Sequence, residues 1–332
     1  MVDNVLEVKD LKTAFQVCRR KVYAVNGVTY ELRRGKTLCV VGESGCGKSV
    51  TAHSILQLLP PNGSIEGGQV IYYPSQDEEG KILSNYKRNS KQIREVRGKD
   101  IAMIFQDPMS TLNPVYTVGS QIMENLLGHE KIGKAEAKER IIRLLGELGI
   151  PNPDERFDQY PHEFSGGMKQ RVMIAIAMIC NPNVLIADEP TTALDVTIQA
   201  QILDLMQKMQ NEYGTSIIFI THNMGIVAEI ADDVAVMYMG RIVEYGTSEQ
   251  IFTKPMHPYT KALMRSVPYL GMDKNQELRT IEGNTPDASI VFSGCEFADR
   301  CEHATEDCRK RFPVDTVFED GHRVRCLLFE ER

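Results

Sequence analysis

At 332 residues the chain has room for roughly two domains of about 150 residues each, which excludes a peptide hormone or a single small module. Hydrophobic residues at 42% and charged residues at 25% sit near globular averages and exclude a disordered or fibrous chain. The formal charge of −7, from 38 basic and 45 acidic residues, argues against a cationic coat for nucleic acid. The longest purely apolar run, 172–180, is nine residues, against about 20 for a bilayer-spanning helix, so no transmembrane segment is expected. The start of the chain carries an acid and lacks an apolar secretory core, so the chain is expected to stay in the reducing cytoplasm.

Two runs, 5–15 and 23–32, alternate apolar and polar residues before the Arg33-Arg34-Gly35 turn and predict an antiparallel edge region. Residues 37–42 read as a short buried strand, followed by a Gly-rich turn and an apolar helical stretch ending near Pro60 and Pro61. The segment 74–100, with seven basic and five acidic side chains, reads as an exposed, solvated insertion before a strand over 101–106. Ala135, Ile141, Leu144, Leu145 and Leu148 share a helical spacing that predicts an amphipathic helix over 134–148, and a second helix runs from Ser165 to about Ile179. The β-rich runs 184–187 and 216–220 flank another helical pattern, the alternation of a parallel α/β sheet. From about Pro268 the pattern turns irregular and then cysteine-rich, which divides off a small C-terminal module.

Three motifs carry chemistry. Gly42, Glu43, Ser44, Gly45, Cys46, Gly47, Lys48 and Ser49 fit G-x-x-x-x-G-K-[ST] between a buried strand and a helix. There the glycines let backbone amides approach phosphate, Lys48 reaches the terminal phosphates, Ser49 ligates Mg²⁺, and Val50 continues the helix start. The apolar run from Val184 ends in Asp188 and Glu189, an arrangement in which the first carboxylate holds Mg²⁺ and the second orients or deprotonates a water. Ser165, Gly166 and Gly167 open a helix 23 residues before Asp188, with Ser165 as N-cap and free amides forming a second anion site.

On these motifs the sequence resembles the ATP-binding cassette (ABC) transporter ATPases over about residues 5–250. The resemblance implies a P-loop NTPase of ABC type: an α/β fold with a parallel sheet core, an antiparallel β subdomain and an α-helical subdomain at about 107–180. It further implies that the Ser-Gly-Gly loop of one subunit closes on ATP held by the phosphate loop of another. In family order, Gln106 matches the Q-loop glutamine that touches Mg²⁺, Ala193-Leu194-Asp195 the D-loop, and His222 the switch histidine that contacts the γ-phosphate. Phe15 falls where the adenine-stacking aromatic is expected, with Tyr23 as the alternative, and Phe164 stands where Leu is usual.

The segment from Ile104 to Pro114 and the motif from His257 to Pro268 resemble the dipeptide, oligopeptide and nickel importers. That resemblance divides the chain into an ATPase over 1–250 and an extension over 251–332. It implies a second ATP-binding subunit, two permease subunits, an extracytoplasmic solute-binding protein, no nucleic-acid partner and a station on the cytoplasmic face of the membrane. Cys295, Cys301, Cys308 and Cys326 crowd into the last 38 residues with spacing C-x₅-C-x₆-C-x₁₇-C, which lacks the close pairs of zinc fingers. Their tail resembles importer ATPases of which some bind an iron–sulfur cluster. The expectation is therefore a [4Fe–4S] cluster on these four cysteines, with zinc as the alternative and unligated thiols as the third reading.

Overall fold

The computed structural model describes residues 3–192, 194–266, 281–287 and 289–330. Ala193 of the D-loop match and the last two residues of the 257–268 motif lie outside the described residues.

The chain opens with the long strands β1 (Asn4–Val17) and β2 (Arg20–Arg33), then β3 (Thr37–Val41), helix α1 (Lys48–Ile55) and β4 (Gly63–Tyr72). The expected antiparallel region is there and larger than the alternation suggested: β2, β1, β4 and the short β5 (Lys81–Ile82) form an antiparallel sheet in that order. The segment 74–100 is a correction. It supplies β5 and helix α2 (Lys91–Val96), and Leu83, Ile93 and Val96 are buried. Three apolar anchors spaced among many charges fix it to the core, which a charge count cannot register.

The second sheet, which already holds β3, gains β6 (Ile101–Ile104) and is reached again only after a run of helices, α3 (Pro108–Thr111), α4 (Val118–His129), α5 (Lys134–Glu147), α6 (Pro153–Phe157) and α7 (Gly166–Met178). The amphipathic face foreseen for α5 is buried at Ile141, Leu144 and Leu145. Then come β7 (Val184–Asp188), α8 (Val196–Tyr213), β8 (Ser216–Thr221), α9 (Met224–Ile230), β9 (Asp233–Tyr238) and β10 (Arg241–Thr247). Among the described residues this sheet has the order β11-β12-β10-β9-β3-β8-β7-β6, where β11 is Thr316–Val317 and β12 is Arg323–Val324, with β9, β3, β8, β7 and β6 parallel. Its central strands are covered on both faces, which is why β3, β7, β8 and β9 read as unbroken buried runs.

The tail contains α10 (Ser248–Thr253), α11 (Pro258–Arg265), α12 (Glu306–Lys310), β11 (Thr316–Val317) and β12 (Arg323–Val324). It is joined to the central sheet, because β12 pairs with β10 through Glu244↔Val324 and Tyr245↔Arg323. The buried Glu244 carboxylate ties the join together: it accepts from Met256 N–H at 2.7 Å, His257 N–H at 2.8 Å and His322 Nε2 at 2.9 Å. Among the described residues no helix is long and apolar enough to cross a membrane.

Candidate active site

Parallel order brings the carboxyl ends of β3, β8, β7 and β6 side by side, the edge where open α/β sheets bind ligands. Four motifs far apart in sequence therefore meet there: the phosphate loop after β3, His222 after β8, Asp188 and Glu189 at the end of β7, and Gln106 after β6.

Within the phosphate loop two glycines have steric reasons. A Cβ on Gly42 would lie 2.1 Å from Met237 O, and one on Gly47, at φ +104°, would lie 2.3 Å from Ala24 O. The buried Lys48 folds back over the loop and its Nζ donates to Gly42 O at 2.8 Å and Glu43 O at 2.9 Å. Ser49 Oγ donates to Asp188 Oδ1 at 3.0 Å, joining the first turn of α1 to the end of β7. Burial raises the Asp188 carboxyl above its ordinary range, against the hydrogen bond from Ser49 that lowers it. Ser49, Gln106 and Asp188 line an open cleft of about 430 Å³, with His53 and Phe105 beside them. An oxygen-rich donor set of hydroxyl, carboxylate and amide at one cleft fits a hard cation such as Mg²⁺.

Glu189 sits at the centre of a hydrogen-bonded cluster. Its Oε2 accepts from Gln106 Nε2 at 3.1 Å and Thr192 Oγ1 at 3.0 Å, and its Oε1 lies 3.1 Å from His222 Nδ1. Burial acts to raise its pKa, but the hydrogen bonds from His222 and Thr192 outweigh burial and hold the carboxyl below its usual range. Its backbone is left-handed, at φ +46°, a conformation that costs energy for a side chain with a Cβ and that clusters at functional sites. Sequence reasoning missed Thr192. The signal was its position three residues after Glu189 in a turn after a strand, where the hydroxyl folds back onto the acid.

The remaining site residues lie apart from this cluster. Ser165 caps α7 through its Oγ, which accepts from Met168 N–H at 3.4 Å, and with Gly166 it is exposed. Gly167 packs close to α8, where an added Cβ would meet Ile198 Cγ2 at 2.9 Å. Asp195 caps α8 by accepting from Ile198 N–H at 3.0 Å. Among the described residues no hydrogen bond joins Ser165 to the phosphate-loop side chains. Phe164 is buried, with the Arg156 guanidinium 5.5 Å from its ring centroid, so its difference from Leu changes the packing beneath the loop and leaves the exposed Ser165 as it is. Phe15 lies against Gly63, where a Cβ would approach its Cε1 at 2.7 Å. Tyr23, together with Gly45 and tail residues such as Phe292, lines a cavity of about 300 Å³ beside the phosphate loop, and Phe15 is absent from that lining. Ser44, Cys46 and Val50 occupy the loop and the helix start, and the Cys46 thiol is buried with its pKa raised by burial.

The expected metal centre in the tail is not supported. Cys295, Cys301, Cys308 and Cys326 are near enough that charge on one is felt by others, and Cys295 N–H donates to Cys308 O at 2.7 Å. Even so, among the described residues no group of three or more His, Cys, Asp or Glu is gathered as a metal ion requires. Packing spreads the thiols: Cys295 and Cys301 lean on the main core, Cys326 joins Met256 and Val324 in a separate cluster, and Cys308 Sγ accepts from Thr305 N–H at 3.4 Å. Burial pushes Cys295 up to about 12 and Cys326 up to about 11, so both are neutral thiols in this arrangement.

Comparison with known proteins agrees with this geometry. Residues 25–192 match the family described as ABC transporter, and residues 243–308 match the oligopeptide/dipeptide transporter C-terminal region. The dipeptide transport ATP-binding protein DppD of Bacillus subtilis is 48% identical over 335 residues, covering 100% of this chain and 96% of the relative. The oligopeptide transport ATP-binding protein OppD of the same organism is 50% identical over 328 residues, covering 98% of this chain and 89% of the relative. OppD of Haemophilus influenzae is 46% identical, covering 100% and 99%. In fold, the chain resembles the dimeric ATP-binding cassette MJ0796 bound to ADP and Pi, at TM-score 0.63 and 22% identity, over 73% of this chain and 98% of that one. It also resembles cbiO1 of Clostridium perfringens, part of the transporter complex cbiONQ, at TM-score 0.62 and 28% identity, over 76% of this chain and 92% of that one.

Proposed function

The chain belongs to the ATP-binding subunits of ABC transporters, and on that premise we propose that it is the ATP-hydrolysing motor of an importer for di- and oligopeptides. One observation carries the motor: the Ser49–Asp188 pair and the Gln106–Glu189–His222 cluster stand at adjoining strand ends beside the phosphate loop. The peptide assignment is supported by relatives named for dipeptide and oligopeptide transport, and by the match of residues 243–308 to the C-terminal region of such transporters. Reconstituted with its permeases, the complex should take up labelled di- and oligopeptides in an ATP-dependent way. Uptake of Ni²⁺ without peptide would move the assignment to a metal importer.

In this reading the loop amides of Gly42, Ser44, Gly45, Cys46, Gly47 and Lys48, with Val50 behind them, receive the phosphates. Lys48 exchanges its two carbonyl partners for phosphate oxygens. Mg²⁺ would be held by Ser49, Asp188 and Gln106, and when bound it neutralises phosphate charge. Glu189, already deprotonated, accepts a hydrogen bond from the attacking water and orients it, a role that suits its lowered pKa better than full proton abstraction. His222 can turn from Glu189 toward the γ-phosphate because its side chain is largely exposed. Catalysis by this set is mainly positioning and charge stabilisation.

Ser165, Gly166, Gly167 and Asp195 serve the nucleotide of a second ATP-binding subunit, a copy or a paralogue, because they lie outside this chain's own cluster. The partners are two permeases and, through them, an extracytoplasmic binding protein, at the cytoplasmic face of the membrane. The ATPase spans 1–250 with a helical subdomain near 107–180, and 251–332 is the importer-type extension. Tyr23 takes the nucleobase ahead of Phe15, since it lines the cavity that reaches Gly45.

The four tail cysteines keep a second reading as ligands of a [4Fe–4S] cluster. It is supported by their donor chemistry and mutual electrostatic reach, and a cluster asks for four thiolates around a larger body than a single ion. Iron and sulfide in the anaerobically purified chain support it, whereas zinc alone or neither element rejects it.

A further inference from the structure

The tail reaches the phosphate loop at Glu43, a position that the loop motif leaves open to any residue. Arg300 places Nη1 and Nη2 on the two carboxylate oxygens at 2.6 and 2.9 Å, and Thr285 Oγ1 donates to Oε2 at 3.1 Å. From α11, Tyr259 Oη accepts the Glu43 backbone N–H at 2.9 Å. The Arg300 side chain is only 6% exposed. Its guanidinium lies 5.9 Å from the Tyr238 ring centroid and 6.0 Å from that of Phe297. Burial acts to raise the Glu43 carboxyl, but the bonds from Arg300 outweigh it and lower it. The carbonyl of this same residue is one of the two that receive the Lys48 ammonium. Three tail side chains thus fix one residue on which the phosphate-binding lysine rests.

A buried ion pair adds little to stability over an apolar contact of the same size, but a two-pronged Arg–carboxylate pair fixes geometry closely. What it fixes here is a loop whose amides must point inward before phosphate arrives, and loosening such a loop weakens binding. We propose that Arg300 is a positioning residue for nucleotide binding, which, by its bidentate grip on Glu43, holds the phosphate loop in its phosphate-ready shape. The proposal rests on the ATPase reading above. Because the hydrogen bonds of Arg300 go to Glu43, Glu282 O and Tyr238 and to no member of the Glu189 cluster, its effect falls on nucleotide affinity more than on the chemical step.

The test compares the full chain with Arg300→Ala, Arg300→Lys, Glu43→Ala and the double Arg300→Ala/Glu43→Ala. MgATP affinity is measured by calorimetry, KM and kcat on the assembled transporter, and folding by circular dichroism. Arg300→Ala should raise Kd and KM for MgATP about fivefold to tenfold with kcat within about twofold. Arg300→Lys should recover part of the loss, Glu43→Ala should match Arg300→Ala, and the double variant should lose no more than either single one. Unchanged affinity in a folded Arg300→Ala chain, or additive losses in the double variant, would overturn the proposal. If Arg300→Ala does not fold, Glu43→Ala decides alone: weakened MgATP binding supports the proposal and wild-type binding overturns it. Absence of MgATP binding by the unsubstituted chain overturns the ATPase reading, and the proposal with it.

Discussion

The phosphate-loop edge and the start of α7 hold the same kind of equipment, backbone amides at a helix N-terminus, in opposite settings. At the edge, Lys48 and Asp188 are buried and Glu189 is pinned by three side chains. At α7, Ser165 and Gly166 face solvent, and the Ser165 hydroxyl caps its own helix. One region is finished within the chain and the other is a surface that waits for something. In the proposed function, a single chain carries two halves of different sites, one that grips a nucleotide and one that closes on a neighbour's.

The strongest way to break this comparison is at the finished edge. Glu189→Gln keeps the hydrogen-bonded cluster in outline but removes the charge that polarises water, so ATP turnover should fall by about 10²–10⁴-fold while MgATP binding persists. Phosphate release and equilibrium binding measured on the same preparation check this, and normal turnover would remove Glu189 from the role.

A smaller effect comes from acid, through the tail that supports the edge. His257 is fully buried and caps α11, where its Nδ1 accepts the Tyr259 N–H at 3.0 Å. Burial pushes its pKa down to about 4 from 6.5, despite Glu244 nearby acting to raise it. The unfolded chain therefore binds this proton first as pH falls below about 6.5, and stability drops until about pH 4. By pH 5 the loss from this group should be about 2 kcal/mol. Chemical denaturation at pH 7 and pH 5 measures it, and His257→Asn, which keeps a capping oxygen without titrating, should remove most of the difference.

How much of this could be read in the sequence differs by region for physical reasons. The phosphate loop, Asp188, Glu189, Gln106 and His222 were legible because each follows a buried strand, and parallel order brings such ends together. The central strands were legible because burial on both faces leaves unbroken apolar runs. Segment 74–100 was misread because three buried apolar residues were outweighed by charge density. That Tyr23 lines the cavity beside Gly45 was not legible, because position along a strand says nothing of which cavity a side chain meets. Thr192 and Arg300 were not singled out, since each acts through one hydrogen-bonded partner that folding supplies: Glu189 three residues away for the first, Glu43 across the chain for the second. The gathering of the tail cysteines in sequence suggested a metal centre, whereas among the described residues they pack against separate clusters and no group of three or more is gathered.

The most direct test of the two-halves account is Ser165→Arg, with MgATP affinity of the chain alone set beside ATP turnover of the assembled transporter. A bulky cation at this exposed helix start, which shares no hydrogen bond with the chain's own phosphate loop among the described residues, obstructs closure on a neighbour's nucleotide in the proposed reading. The account predicts unchanged MgATP affinity and turnover reduced by about 100-fold or more. Lost affinity in the isolated chain, or full turnover in the complex, would contradict it.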